Sequence, residues 1–429
     1  MSSPRPDTAS PEPTPLDTSE ITGLFPALTE PGPTYLDSAA TTQKPLPVIA
    51  AIDGYHRRRT ANAGRGTYRW ATTLTTEIER IRRATAHFIG AQPDEIVFTS
   101  GATAALNAVA HSWALTALTD GDEILYSPSD HASNVYPWLH LRDTLAHFGR
   151  HIHLVPYRTT VTGEADLGDI AAKLTARTRL VTVSHVHHVF GARNRLTRLR
   201  ALLEPQVAVC VDASQSGGHI RIDTEQLGAD FLVLSPHKMF AAPGTGVLFC
   251  HRRRHDELTA FLPGGNSGVR PADSTSLRAG AMPHRLEGGT HNIPGILALG
   301  AALEVLTDIG LPMITAHNLA LTRQLIEGLR DIAGVRLLPG PAHAPRPQGY
   351  GIVSFTMDAM TGTDLGFVLA ESGFLVRTGA HCVPPLPPPG SHPVAAEPDS
   401  VRVSTHVYTT AYQIERFLTC LSTIATEVR

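Results

Sequence analysis

Between residues 95 and 250 the chain repeats one alternation: a short run of consecutive apolar residues, then a longer stretch with apolar residues at helical spacing. The short runs are Glu95–Thr99, Asp122–Tyr126, His151–Val155, Arg179–Ser184, Val207–Asp212, Asp230–Leu234 and Gly246–Cys250. Consecutive apolar residues suit strands buried on both faces. Segments such as Thr76–Ile89 and Ala102–Leu118 carry the helical period between them. The alternation predicts an α/β fold, a mostly parallel seven-stranded sheet covered by helices. In such sheets ligands bind beyond the carboxyl ends of the strands, and the polar motifs of this chain fall there. A helical stretch over Pro294–Ile309 leads into a second region, with strands at Gly351–Thr356 and Ser400–Ser404 and a closing helix at Ala411–Ile424. The expected organisation is a disordered Pro/Ser/Thr tail over 1–18, a large domain over 19–300 whose N-terminal segment packs on the small domain, and a smaller C-terminal α+β domain over 301–429 that carries the Cys382 loop. The Pro-rich stretch Val383–Pro393 reads as a loop directly after Cys382, because proline removes backbone donors.

Composition narrows the function. The chain has 429 residues, 42% of them hydrophobic, and a net charge of −3 with both signs interspersed, which argues against a nucleic-acid surface or a polybasic membrane patch. No apolar run approaches the ~20 residues of a membrane helix, so a soluble cytoplasmic protein is the expectation. Cys210, Cys250, Cys382 and Cys420 are widely spaced, with no zinc or disulfide pattern. Of 36 basic residues only Lys44, Lys173 and Lys238 are lysines. An amine can lose its proton when desolvated and attack a carbonyl, whereas a guanidinium cannot. Lys238, where the run Phe231–Leu234 gives way to Ser-Pro-His-Lys, is therefore a Schiff-base candidate.

Three more polar clusters end strands. Phe98-Thr-Ser-Gly-Ala-Thr103 precedes a helix, suiting a phosphate or an ordinary N-cap. His131, in Pro128-Ser-Asp-His-Ala-Ser-Asn134, can lie against a planar ring or be a satisfied loop residue. Asp212, in Val211-Asp-Ala-Ser-Gln215, can pair with a protonated heteroaromatic nitrogen or cap a turn. A phosphate cup, a stacking histidine, a strand-end acid and an amine are together the parts that hold pyridoxal phosphate as an electron sink.

With Tyr35-Leu-Asp-Ser-Ala-Ala, Glu287-Gly-Gly-Thr290, Arg377-Thr-Gly-Ala-His-Cys382 and Val401-Arg402-Val-Ser added, the chain resembles the cysteine desulfurases of the class V aminotransferase group, nearest the iron–sulfur assembly and selenocysteine lyase branch. The likeness spans roughly residues 34–429 and implies the fold type I architecture of pyridoxal-phosphate transferases. It implies pyridoxal 5'-phosphate on Lys238, Asp212 at the ring nitrogen, His131 on the ring, and Gln215 and the His188 position near the phenolic oxygen. Ala102, Thr103, Ser235 and His237 would hold the phosphate, with Thr290 reaching the phosphate of a neighbouring subunit in a homodimer. Arg402, with Arg377 and Ala39, would receive the substrate carboxylate. Cys382 would take sulfur from L-cysteine as a persulfide, leaving alanine, for delivery to an acceptor protein.

Two positions depart from the resemblance. His188 stands where asparagine is usual, and Ala380 where a second histidine is common. These leave open a β-eliminating C–S lyase or a selenocysteine lyase, in specialised metabolism or elsewhere. A metal site from His185, His187 and His188 is disfavoured: in a continuing strand 185 and 187 share a face and 188 points away. No metal is expected.

Overall fold

The structure, a computed structural model, describes residues 19–28, 32–344, 349–385 and 399–428. The tail over 1–18 and the Pro-rich stretch from residue 386 to 398 lie outside the described residues. The seven apolar runs form one sheet: Ile96–Thr99 (β1), Glu123–Tyr126 (β2), His153–Pro156 (β3), Thr178–Ser184 (β4), Ala208–Asp212 (β5), Phe231–Leu234 (β6) and Gly246–Cys250 (β7). Their order is β1-β7-β6-β5-β4-β2-β3, and only β7 runs antiparallel, to both neighbours. Strands β4 to β7 are buried along nearly their whole length, which explains their unbroken apolar character. β3 starts two residues later than expected because Asp120 takes the His151 N–H at 2.7 Å, leaving the ladder to begin at His153.

Helices cover both faces. Leu46–Arg58 (α1) and Arg69–Ile89 (α2) pack with Ile293–Ile309 (α5), whose Ile296, Leu299, Leu303 and Leu306 are buried. α2 ends at Gly90, which adopts the left-handed conformation (φ 71°) and donates its N–H back to Ala86 and His87. Ala102–Val109 (α3) begins at the end of β1 and runs on through a wider π-turn, Ala110–Ala114, so the expected helix 102–118 is not regular. Tyr136–His147 (α4) follows the His131 loop.

A second, four-stranded antiparallel sheet runs Val335–Leu337 (β8), Ile352–Met357 (β9), Ser400–Ser404 (β11), Arg377–Gly379 (β10). It packs with Leu311–Arg330 (α6), Gly362–Glu371 (α7) and Ala411–Glu427 (α8), the last opened by a Thr410/Gln413 capping box. The early segment Thr34–Tyr35 pairs with Phe374–Leu375, just before β10, so this segment joins the second layer. Gly191, at φ 66°, lies where a Cβ would meet the Ile352 carbonyl at 2.4 Å; glycine lets the β4–β5 connection close on β9. Among the described residues no single helix is long and apolar enough to cross a membrane.

Candidate active site

Beyond the carboxyl ends of β4, β5 and β6 lies a cavity of about 220 Å³. Its floor is the turn after β6. Ser235 begins a short 3₁₀ turn, Pro236–Lys238, which sets Lys238 against the cavity. Burial lowers the Lys238 amine to about 8; Asp212 opposes that shift, and Arg402 adds to it. An amine so placed is partly neutral near neutrality and nucleophilic.

Asp212 ends β5. Its Oδ1 accepts from Ser214 N at 2.9 Å, which aims the carboxylate. Gln215, one turn on, donates from Nε2 to Ala39 O at 2.9 Å and so brings the 39–44 segment over the cavity. At the β1–α3 junction Gly101 supplies no side-chain cap, leaving the helix start at Ala102 and Thr103 to line the cavity. A Cβ on Gly246 of β7 would meet Gly101 Cα at 2.5 Å; only glycine permits that approach. Thr103 Oγ1 and Ser133 Oγ are 2.7 Å apart, and Ser235 Oγ donates to Ser214 Oγ at 3.1 Å, so hydroxyls from four segments meet there.

His131 Nδ1 accepts from Ser133 N at 3.1 Å, which puts the proton of the neutral ring on Nε2. Burial, helped by the Lys238 charge, pushes its pKa down to about 4, so the ring is neutral at physiological pH. Asp130 holds the loop from beneath, accepting from Ser184 Oγ at 2.8 Å and Asn134 Nδ2 at 2.9 Å.

Arg402, on β11, is buried. It donates through Nη1 to His188 O at 2.9 Å and through Nη2 to Asp37 at 3.2 Å, while its Nε has no partner. His188 is 4% exposed, its Nε2 also lacks a partner, and burial drives its pKa well below the usual imidazole range.

Cys382 is exposed at the mouth. It and His381 are both left-handed (φ 65° and 52°), a conformation that costs non-glycine residues energy and is kept only where surroundings enforce it. Two contacts enforce it here. Ala132 N donates to Cys382 O at 2.9 Å, docking the thiol's loop beside His131, and His381 Nε2 meets Ser400 Oγ at 3.0 Å.

Comparison with known proteins places this arrangement. Residues 34–417 match the family described as aminotransferase class-V. The chain belongs to the class-V aminotransferase family. A probable cysteine desulfurase of Synechocystis is 33% identical over 390 residues, 90% of each protein. A cysteine desulfurase of Klebsiella pneumoniae is 34% identical over 396 residues, 91% of this chain and 93% of that one. The apo cysteine desulfurase of Thermococcus onnurineus superposes with a TM-score of 0.86 at 29% identity, covering 95% of this chain and 98% of that one.

Class-V aminotransferase membership implies pyridoxal phosphate, and the residues present fit it. A partly neutral amine faces a strand-end carboxylate, an uncapped helix start is ringed by hydroxyls, and His188 Nε2 and Arg402 Nε are buried without partners. Lys238, Asp212, Gln215, His131, Ala102, Thr103, Ser235, His237, His188, Arg402, Arg377, Ala39 and Cys382 all line the one cavity. Thr290 does not; it lines a separate pocket with Phe98, Glu287 and His291. The alternation assumed for His185–His188 does not hold. β4 ends at Ser184, the chain turns, and the His187 and His188 rings stack at 4.9 Å instead of diverging. Ser133, Ser184, Ser214 and Asp37 were missed. Ser133 and Ser214 sit within two residues of recognised positions and Ser184 four before His188, but Asp37 is 365 residues from its Arg402 partner, and nothing local announces the pair.

Proposed function

We propose that this protein is a pyridoxal-phosphate-dependent cysteine desulfurase, converting L-cysteine to L-alanine with transfer of sulfur to Cys382. One observation carries the reading: the desolvated Lys238 amine and the exposed Cys382 thiol open onto the same cavity, which the Arg402 and Arg377 side chains also line. The relatives named cysteine desulfurase at 33–34% identity support it.

When bound, pyridoxal phosphate withdraws electrons from the substrate's Cα and so loosens the bond to sulfur. Asp212 would hold the ring nitrogen, His131 the ring face, and Gln215 and His188 the phenolic oxygen. Ala102 and Thr103 at the helix start, with Ser235 and His237, would hold the phosphate. Arg402 receives the substrate carboxylate, with Arg377 and Ala39 beside it. The neutral His131, its Nε2 protonated and its Nδ1 held by Ser133 N–H, can donate a hydrogen bond from Nε2 without carrying net charge into the site. The Cys382 thiolate attacks the substrate sulfur. An S–S bond forms, the Cβ–S bond breaks, and its electron pair takes a proton at Cβ, giving alanine and a persulfide.

A homodimer in which Thr290 completes the partner's phosphate site, a protein that accepts the sulfur, and a cytoplasmic location complete the proposal. The test is the amino-acid product from L-cysteine under a thiol reductant, for wild type and Cys382→Ala. Alanine and sulfide that collapse in the variant are expected. Pyruvate and ammonia, unaffected by the substitution, would overturn the assignment in favour of a β-eliminating lyase.

A further inference from the structure

Lys44 is one of three lysines among 36 basic residues, and it lies where the 39–44 segment crosses the Lys238 turn. Its Nζ donates to Thr42 O at 2.5 Å, to the carbonyl of His237 at 2.9 Å and to Thr41 Oγ1 at 3.4 Å. That His237 carbonyl, one peptide before Lys238, also accepts from Thr42 N and from the Thr41 and Thr42 hydroxyls, each at 3.1 Å. Thr42 Oγ1 in turn accepts from the N–H of Phe240 at 2.8 Å, and Phe240 is held at φ 70°. The lysine turn is thus strapped on both sides of Lys238, and Lys44 supplies the one charged donor. Three acceptors converge on a single point, which suits an ammonium with three N–H donors. A planar guanidinium with five would leave donors unsatisfied.

We propose that Lys44 is a positioning residue that fixes the direction of the Lys238 amine by tying the His237 carbonyl to the 39–44 segment. The inference rests on the reading above insofar as Lys238 carries the cofactor. Burial lowers the Lys44 amine to about 8. The groups its charge reaches, His237 and His406, are silent between pH 6 and 10, since burial holds His237 down at about 4 and His406 well below the usual imidazole range; Tyr35, whose hydroxyl donates to Thr41 O, is pushed up to about 12 by burial. Lys238 itself titrates near 8 before the cofactor is bound. Above pH 8 a neutral Lys44 keeps two N–H donors for three acceptors and loses its charge. Global stability moves the other way. The unfolded amine holds its proton to a higher pH than the folded one, so unfolding becomes harder as pH rises from about 8 toward 10.5.

The experiment compares wild type, Lys44→Met and Lys44→Arg in three ways. These are hydrogen exchange of the segment 236–243 in cofactor-free protein at pH 7, visible circular dichroism of the pyridoxal-phosphate-loaded protein from pH 6 to 10, and kcat and KM for L-cysteine. In Lys44→Met, exchange of that segment should quicken about tenfold while β1 and β7 are unchanged, as loss of one charged hydrogen bond implies. The dichroism should fall, and kcat should drop about tenfold with KM within about twofold. The wild-type dichroism should step down near pH 8, a step that the always-charged Lys44→Arg lacks. Wild-type exchange and dichroism in Lys44→Met would overturn the proposal, as would exchange that quickens everywhere. If wild type forms no alanine while exchange and dichroism still respond to Lys44→Met, the desulfurase reading fails and the positioning role stands.

Discussion

Lys238 should combine with free pyridoxal phosphate far faster near neutrality than an ordinary lysine, and the rate should saturate at moderate pH. With the amine at about 8, roughly a quarter of it is neutral at pH 7.5, against about 0.1% for an ordinary lysine. The advantage in reactive amine is about 200-fold. Asp212 is the main charge holding the value up against burial. Asp212→Asn should therefore move it further down, and a fall of about one unit would leave roughly three quarters of the amine neutral at pH 7.5. The variant should bind the cofactor less firmly, having lost the ring-nitrogen partner, yet associate about threefold faster at that pH. The assay is the initial rate of growth of the cofactor's visible band on mixing with cofactor-free protein, from pH 6 to 9.5. The wild-type rate should reach half its plateau near pH 8, and that of Asp212→Asn lower. Lys44→Arg controls for the other amine titrating in this range. A wild-type rate still rising tenfold per pH unit at 9.5, or a half-point moved upward by Asp212→Asn, would refute the reasoning.

Two further outcomes follow from the geometry. Arg402→Lys replaces a fork that grips His188 O and Asp37 together with a single point charge; KM for L-cysteine should rise about tenfold or more while the cofactor's visible band is unchanged, and an unaltered KM would remove Arg402 from substrate binding. Glu287 accepts from Arg82 at 2.7 and 3.0 Å and from Phe98 N at 2.7 Å, with both side chains of the pair fully buried. Glu287→Ala leaves the buried Arg82 guanidinium with only Glu79 and the Ile96 carbonyl, and should destabilise the protein by about 3 kcal/mol, read by denaturant unfolding. Burial pushes the Glu287 carboxyl up, but His284, His291 and Arg82 outweigh it and hold it well below the carboxylate range. Its contribution is therefore present above the ordinary carboxylate pKa and is lost as pH falls through the lower folded value, so wild type and variant should converge in acid.

The central sheet was legible because β4 to β7 are buried on both faces, so each reads as an apolar run that breaks at a polar residue, as Val211-Asp212 and Leu234-Ser235 do. Lys238, Asp212 and His131 stand at those breaks, where an unexplained polar group invites a ligand. Other parts were legible only through resemblance. Arg402 lies mid-strand in Val401-Arg-Val403, and its burial follows from Asp37 and His188, which are remote in sequence. The helices Leu46–Arg58, Tyr136–His147, Leu311–Arg330 and Gly362–Glu371 were not anticipated. α1 and α4 open at prolines with no side-chain cap to announce the start. The stacked His187 and His188 escaped because strand periodicity was extended one turn too far.

The threading of residues 34–44 bears on the order in which the protein is made. That short ribbon pairs with Phe374–Leu375, meets Arg402 through Asp37, receives Ser404 at Ala39 and holds His237 through Lys44. It leaves the ribosome first of all the cavity walls, and its partners on β11 emerge some 360 residues later. A nascent chain can finish the seven-stranded sheet and expose Lys238 with Arg402 still unsynthesised. The cavity wall is then completed in one step, when β11 closes on the ribbon, so a chain ending before residue 400 carries the Lys238 turn but an unfinished cavity.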